Sequence, residues 1–262
     1  MKKILLALTA LAAFSGSAFA ADLAARPTYT KAPMMPVAPA WTGFYIFGGG
    51  GGGVWDANNT VLSSATLAPL TINSRQGGDG WFGTVGAGYD WQFNSSWVFG
   101  VLADGQFGSL RGNIADPLAA LTGSERLRDT YAAGARLGYL VAPNVLSYVN
   151  GGWTGANWSG STLTTLGGTP SGLHTNSFSS NNGVFVGGGV ENNLNIFGIT
   201  APGWFMKTEY RAAYFGNHNL GEFSDATGAL AGNTIAFKPF VQTISTSLVY
   251  RFNWGGPVVA KY

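Results

Sequence analysis

A chain of 262 residues with 10% charged residues, 14% aromatics and 40 glycines has too little charge to coat a water-soluble surface, where roughly a quarter of residues are charged. Of its 14 basic groups two, Lys2 and Lys3, fall in a leader, leaving 12 against 12 acidic ones and no basic footprint for nucleic acid. The lack of cysteine excludes disulfides, thiolate metal sites and thiol catalysis.

The first segment, 1–20, has a basic start, an apolar stretch from Ile4 to Phe14, and small residues at Ala18 and Ala20. It predicts a secretory signal peptide cleaved after Ala20, because the apolar core falls short of the ~20 residues of a helical span. Residues 21–40 carry four prolines and little hydrophobic pattern, which predicts an extended periplasmic tether. From Trp41 to Tyr262 short aromatic, Val- and Gly-rich segments alternate with polar stretches, and no window holds 18 apolar residues.

The stretch FYIFGGGGGGVW (44–55) opens this region. A phosphate cradle would continue with Lys and Ser or Thr, but Val54 and Trp55 follow. No second soluble domain follows to justify a linker. A first strand is predicted whose glycines make room for bulky neighbours or let it bend, with inward and outward parity left open.

Period two then dominates. In GWFGTVGAGYDWQF the residues Trp81, Val85, Ala87, Tyr89, Trp91 and Phe93 share one parity, and after the turn at Asn94–Ser96 the residues Trp97, Phe99, Val101, Ala103 and Phe107 repeat it. Further strands are predicted near 126–141, with Leu127, Tyr131 and Tyr139 opposite Arg128 and Arg136; near 145–157; and near 183–195, opposite Glu191. In WFMKTEYRAAYF, Trp204, Met206, Tyr210 and Tyr214 alternate with Lys207, Glu209 and Arg211. A last strand spans 239–252. Eight strands joined alternately by long stretches (56–78, 112–125, 158–182, 216–238) and short breaks form the signature of an all-β, eight-stranded antiparallel up-and-down transmembrane barrel.

A soluble barrel of lipocalin type also alternates, with apolar residues inward. Its outward parity would then consist here of Gly, Thr and a few charges, too sparse to solvate an exterior. With the faces reversed, Asp90, Asp104, Glu191 and Glu209 face Arg128, Arg136, Lys207, Arg211 and Arg251 in a narrow lumen of near-even charge. Trp81, Trp91, Trp97, Trp153, Trp204, Tyr214 and Phe252 then fall where membrane-interface aromatics belong. A lumen filled by paired charges favours a structural or surface-interaction role over solute diffusion, with a small porin as the alternative. His174 and His218 fall in predicted outer loops; Ser177 and Glu222 are near in sequence, but neither spacing is a catalytic motif. No catalytic, cofactor-binding or metal residue is assigned, and an enzyme is not expected.

WTGFYIFGGG, GWFGTVGAGYDWQF, TEYRAAYFG and SLVYRFNWGGPVVAKY together resemble the outer-membrane immunogenic protein family, small porin-like barrels of alphaproteobacteria related in fold to the membrane domain of OmpA. The resemblance implies an eight-stranded, surface-exposed, often antigenic barrel without cofactor in the outer membrane of a Gram-negative bacterium. Both termini would be periplasmic. Outer-membrane lipid and lipopolysaccharide would surround it, the barrel assembly machinery would insert it, and an extracellular ligand could meet the polar long loops.

Overall fold

A computed structural model describes residues 41–196 and 199–252. The leader and tether expected over 1–40 lie outside the described residues. Eleven antiparallel strands form one sheet: β1 Gly43–Ser63, β2 Ser74–Gln92, β3 Trp97–Asp116, β4 Leu121–Ala142, β5 Val145–Trp158, β6 Ser161–Thr165, β7 Pro170–Thr175, β8 Phe178–Ile196, β9 Ile199–Tyr214, β10 His218–Ser224 and β11 Leu230–Arg251. β1 through β5, β8, β9 and β11 pair in succession, and β11 pairs back onto β1. Closure leaves no edge along the eight long strands up to the end of β2, so the backbone there is satisfied without water; beyond it β1 after Asn59 and β3 after Gly112 have no β2 partner.

The register defines the geometry. From Ile46 the ladder passes through Ala87, Ala103, Ala133, Trp153, Val184, Tyr214 and Phe240, and returns to β1 at Asp56, ten residues beyond its start. A stagger of ten over eight strands tilts them by ~40° and leaves an interior just wide enough for side chains.

The expectation of eight strands omitted three short ones. β6 pairs with β4, β7 with β6, and β10 with both β7 and β11. They lie in stretches read as loops from sequence, where β5, β8 and β9 have ended, and they continue the wall beyond those strands. β3 and β4 also run further than expected, to a turn between Asp116 and Leu121.

The glycine run is part of β1. Odd positions point inward: Tyr45, Phe47, Trp55, Ala57 and Val61 are buried, whereas Phe44, Ile46 and Val54 are exposed. Gly49, Gly51 and Gly53 therefore line the inside. A Cβ at Gly51 would run into the Ile244 carbonyl and one at Gly49 into that of Thr246, so β1 and β11 approach too closely for any side chain. Gly48 and Gly52 face outward with ordinary room.

Apolar side chains lie on both sides of the wall. Val101, Val149, Val184, Val186, Ile244 and Leu248 are exposed along the outside. Inside, one cluster around Trp41, Tyr45, Phe205 and Val249 fills the end bearing the short turns. A larger one, with Trp55, Leu110, Ile114, Trp158, Leu163, Ile235 and Phe237, fills the extended end. There Trp55, Trp158 and Phe237 meet edge to face, with centroids 5.2–5.7 Å apart.

Candidate functional site: the charged interior and the outer wall

Eight of the nine charges assigned to the lumen are buried between the two apolar clusters. They form two groups. In the first, Arg136 donates from Nε to Asp90 Oδ1 (2.9 Å) and from Nη1 to Glu191 Oε2 (3.0 Å). Arg251 donates from Nε to Glu191 Oε1 (2.8 Å), and its Nη2 lies 2.8 Å from Asp90 Oδ2, too oblique for a directed hydrogen bond but in ion-pair contact. Two cations thus bracket two carboxylates. Rings close the gaps: Arg136 sits 4.4 Å from the Tyr45 centroid, and Arg251 4.4 Å from that of Trp41.

In the second group Arg211 grips Asp104 with both Nη atoms (2.9 and 2.8 Å) and donates to Glu209 Oε1 (2.8 Å). Tyr148 and Asn150 donate to the other Glu209 oxygen at 2.8 and 2.9 Å. Lys207 stands 3.9 Å from that oxygen and 3.2 Å from the Phe47 ring centroid. Charges buried in this way are tolerable because each has an opposite partner; the carboxylates and arginines also share hydrogen bonds, and Lys207 rests on the Phe47 ring.

Arg128 is the exception and corrects the assignment. It is exposed on the outer wall, because the β3–β4 ladder shifts register between Phe107 and Leu110 and the β4–β5 ladder between Leu127 and Asp129. The extra residue reverses parity, so Leu127 turns inward and Arg128 outward. Tyr45, Phe47, Tyr148 and Asn150 also line the lumen without having been singled out: glycines hide the parity of β1, and on β5 the face opposite Val149 and Trp153 carries no charge to mark it.

The seven aromatics expected at a membrane interface are all exposed on the outer wall. Trp91, Trp97, Trp204 and Phe252 gather near the short turns, beside Phe44, Phe99, Tyr139 and Tyr250. Trp81, Trp153 and Tyr214 form the other set, with Tyr131 and Phe240. On β2, Trp91 and Trp81 are ten residues apart, about 25 Å along the axis at ~3.3 Å per residue and ~40° tilt. That is the height of the apolar band of an outer-membrane barrel.

At the extended end, Glu125 and Glu222 are buried and face inward, and each has one oxygen without a partner among the described residues. Burial pushes the Glu125 carboxyl up to about 8, and burial together with Asp116 beside it pushes that of Glu222 up to about 8. Among the described residues the partner of His174 is a carboxylate and that of His218 a ring. His174 Nδ1 meets Asp225 Oδ1 at 2.6 Å, while Glu222 points into the barrel and not toward it. His218 stacks on Phe178 with centroids 4.4 Å apart, and burial lowers its pKa.

No protein-family model matches the chain. The 31 kDa outer-membrane immunogenic proteins of Brucella melitensis biotype 1 and Brucella suis biovar 1 are each 28% identical to it over 261 residues, covering 96% of this chain and all of the relative. The chain is a closed antiparallel β-barrel, similar along its length to these outer-membrane immunogenic proteins. Solved structures resembling it include OprG from Pseudomonas aeruginosa (9% identity, 82% of this chain and 100% of that one, TM-score 0.47). Others are Ail of Yersinia pestis (13%, 78% and 99%, 0.33) and the outer membrane protease OmpT from Escherichia coli (8%, 84% and 99%, 0.38).

Proposed function

We propose that this barrel is a non-enzymatic surface protein of the outer membrane with a sealed lumen. Its extended end would face the outside, and both termini the periplasm. The observation that carries this reading is the interior filling: two ion-pair groups interleaved with Trp41, Tyr45, Phe47, Tyr148 and Phe185, topped by the Trp55–Trp158–Phe237 cluster. A gap near Phe82, Gln106, Leu110 and Thr243 is about 10 Å³, room for about one water. Diffusing solutes need a continuous wet path, and stacked rings between paired charges interrupt one.

The polar, exposed residues of the extended end support contact with other molecules, as does the name of the relatives, outer-membrane immunogenic proteins. Orientation follows from the short turns: polar connections as brief as Asn94–Ser96 suit the periplasmic side, and the long strands with β6, β7 and β10 suit the outside. Planar-bilayer recording of the purified, folded protein tests the sealed lumen. Silence or rare, small, unstable steps are expected, whereas large stable steps would establish a small porin instead.

A further inference from the structure

Beyond the lumen, the outer wall holds an uneven distribution of positive charge. Of the described basic residues, Arg136, Lys207, Arg211 and Arg251 belong to the lumen, and Arg75 pairs with Asp56 at 2.8 Å. Lys238 stands on β11. The remaining three, Arg111, Arg126 and Arg128, all lie on one hairpin, β3–β4. Arg111 and Arg126 are direct cross-strand partners. Like charges placed opposite each other destabilise a sheet unless something negative sits between them. No ion pair neutralises any of the three among the described residues: Asp79 is the cross-strand partner of Arg111 on the other flank without pairing with it, and Asp129 is held by Asn157.

Their depth identifies what could supply the negative charge. Phe107 pairs with Asp129 at the register shift, and both Phe107 and Trp81 are exposed in the aromatic belt at this end. The three arginines begin within one or two residues of that belt, on the side away from the bilayer centre, where lipid headgroups lie. Next to Arg128 a shallow cavity of about 250 Å³ is lined by Asp129, Asn157, Ser177 and Ser179, with hydroxyl and amide groups suited to a sugar. Guanidinium groups bind phosphate by parallel charge-assisted hydrogen bonds.

We infer that Arg111, Arg126 and Arg128 bind the phosphates of a phosphorylated glycolipid headgroup in the outer leaflet. The sugar reaches the cavity beside Arg128. The inference rests on the orientation proposed above.

The test uses the full-length protein folded in detergent, with diphosphorylated lipid A as probe. Binding is followed by mass spectrometry of the intact complex, for wild type, R111Q/R126Q/R128Q, R128Q alone and the control R75Q. Folding is read separately from the heat-dependent shift on a gel. The triple variant should lose about tenfold or more in affinity and R128Q part of that, with R75Q unchanged; dephosphorylated lipid A should bind wild type as weakly as the phosphorylated form binds the triple variant. If the triple variant misfolds, R128Q decides. Equal binding by the variants, or by lipid A without phosphate, would overturn the site. Equally tight binding of inorganic polyphosphate would assign it to a soluble anion instead. Orientation is read independently from protease cleavage at the 218–230 segment on intact cells: cleavage with no lipid A binding sinks the site alone, and protection from added protease sinks the orientation on which it rests.

Discussion

Gly51 on β1 faces the Ile244 carbonyl of β11 so closely that even a methyl group at this position would collide with backbone. Its neighbour Gly52 points to the outside, where a methyl would make ordinary contacts of 3.5–3.7 Å with the Trp81 ring and the Gly80 carbonyl. Alternate glycines of a single run therefore do different jobs. Gly51→Ala should lower the unfolding free energy of the folded, heat-modifiable form by about 1–3 kcal/mol, the usual cost of forcing atoms into a packed site, read as a lower urea midpoint. Gly52→Ala should leave it nearly unmoved. Equal effects at both positions would contradict the inward and outward assignment of β1.

Arg136 holds two carboxylates at once. Replacing it by Met leaves Asp90 and Glu191 with Arg251 alone, inside a barrel where water cannot help. A loss of about 3–5 kcal/mol is expected from an uncompensated buried charge. Arg128→Met, on the same strand but outside the lumen, should not move the unfolding midpoint. Denaturant titration of both variants in the same detergent makes the comparison.

The extended end should weaken in base. Glu125 and Glu222 have carboxyls raised to about 8 in the folded protein, above the ordinary 4.5 of an unfolded chain. Their contribution is complete below about pH 4.5 and is lost as pH rises through about 8, where the folded end must either accommodate a buried carboxylate or open. Hydrogen exchange of amides in β6, β7 and β10 should therefore accelerate between neutral pH and pH 9 beyond the intrinsic base catalysis. The E125Q/E222Q variant should abolish that excess. An excess unchanged in the variant would show that other groups control this end.

Much of this arrangement is written in the sequence because a strand exposes its two faces by strict alternation. The charges Lys207, Glu209 and Arg211 between Trp204, Tyr210 and Tyr214 reveal β9 directly, and all three are indeed buried while the aromatics are exposed. Alternation fails wherever one residue is inserted. The register shift between Leu127 and Asp129 sends Arg128 outward, and nothing in the residues 126–129 signals it. Nor does a pattern of inside and outside say how far a wall continues beyond the membrane. The segment 161–175 is rich in Ser, Thr and Gly and reads as loop, yet it forms β6 and β7 because β4 and β10 offer unpaired edges at that level. The apolar filling of that end was hidden for the same reason: Ile114 and Phe237 face inward where a loop was expected, and they pack with Trp55 from the end of the expected first strand.

The absence of cysteine makes the most direct measurement possible, a spin-label scan with one introduced cysteine per variant. Val101, Ala103, Val186, Ile244 and Leu248 are exposed between the two aromatic belts, and Asn113 is exposed beyond them. In reconstituted membranes, labels at the first five should collide readily with oxygen and scarcely with a water-soluble nickel chelate, and a label at Asn113 should do the reverse. Nickel access at Val101 and Ile244 equal to that at Asn113 would mean that the apolar outer wall meets water and not lipid.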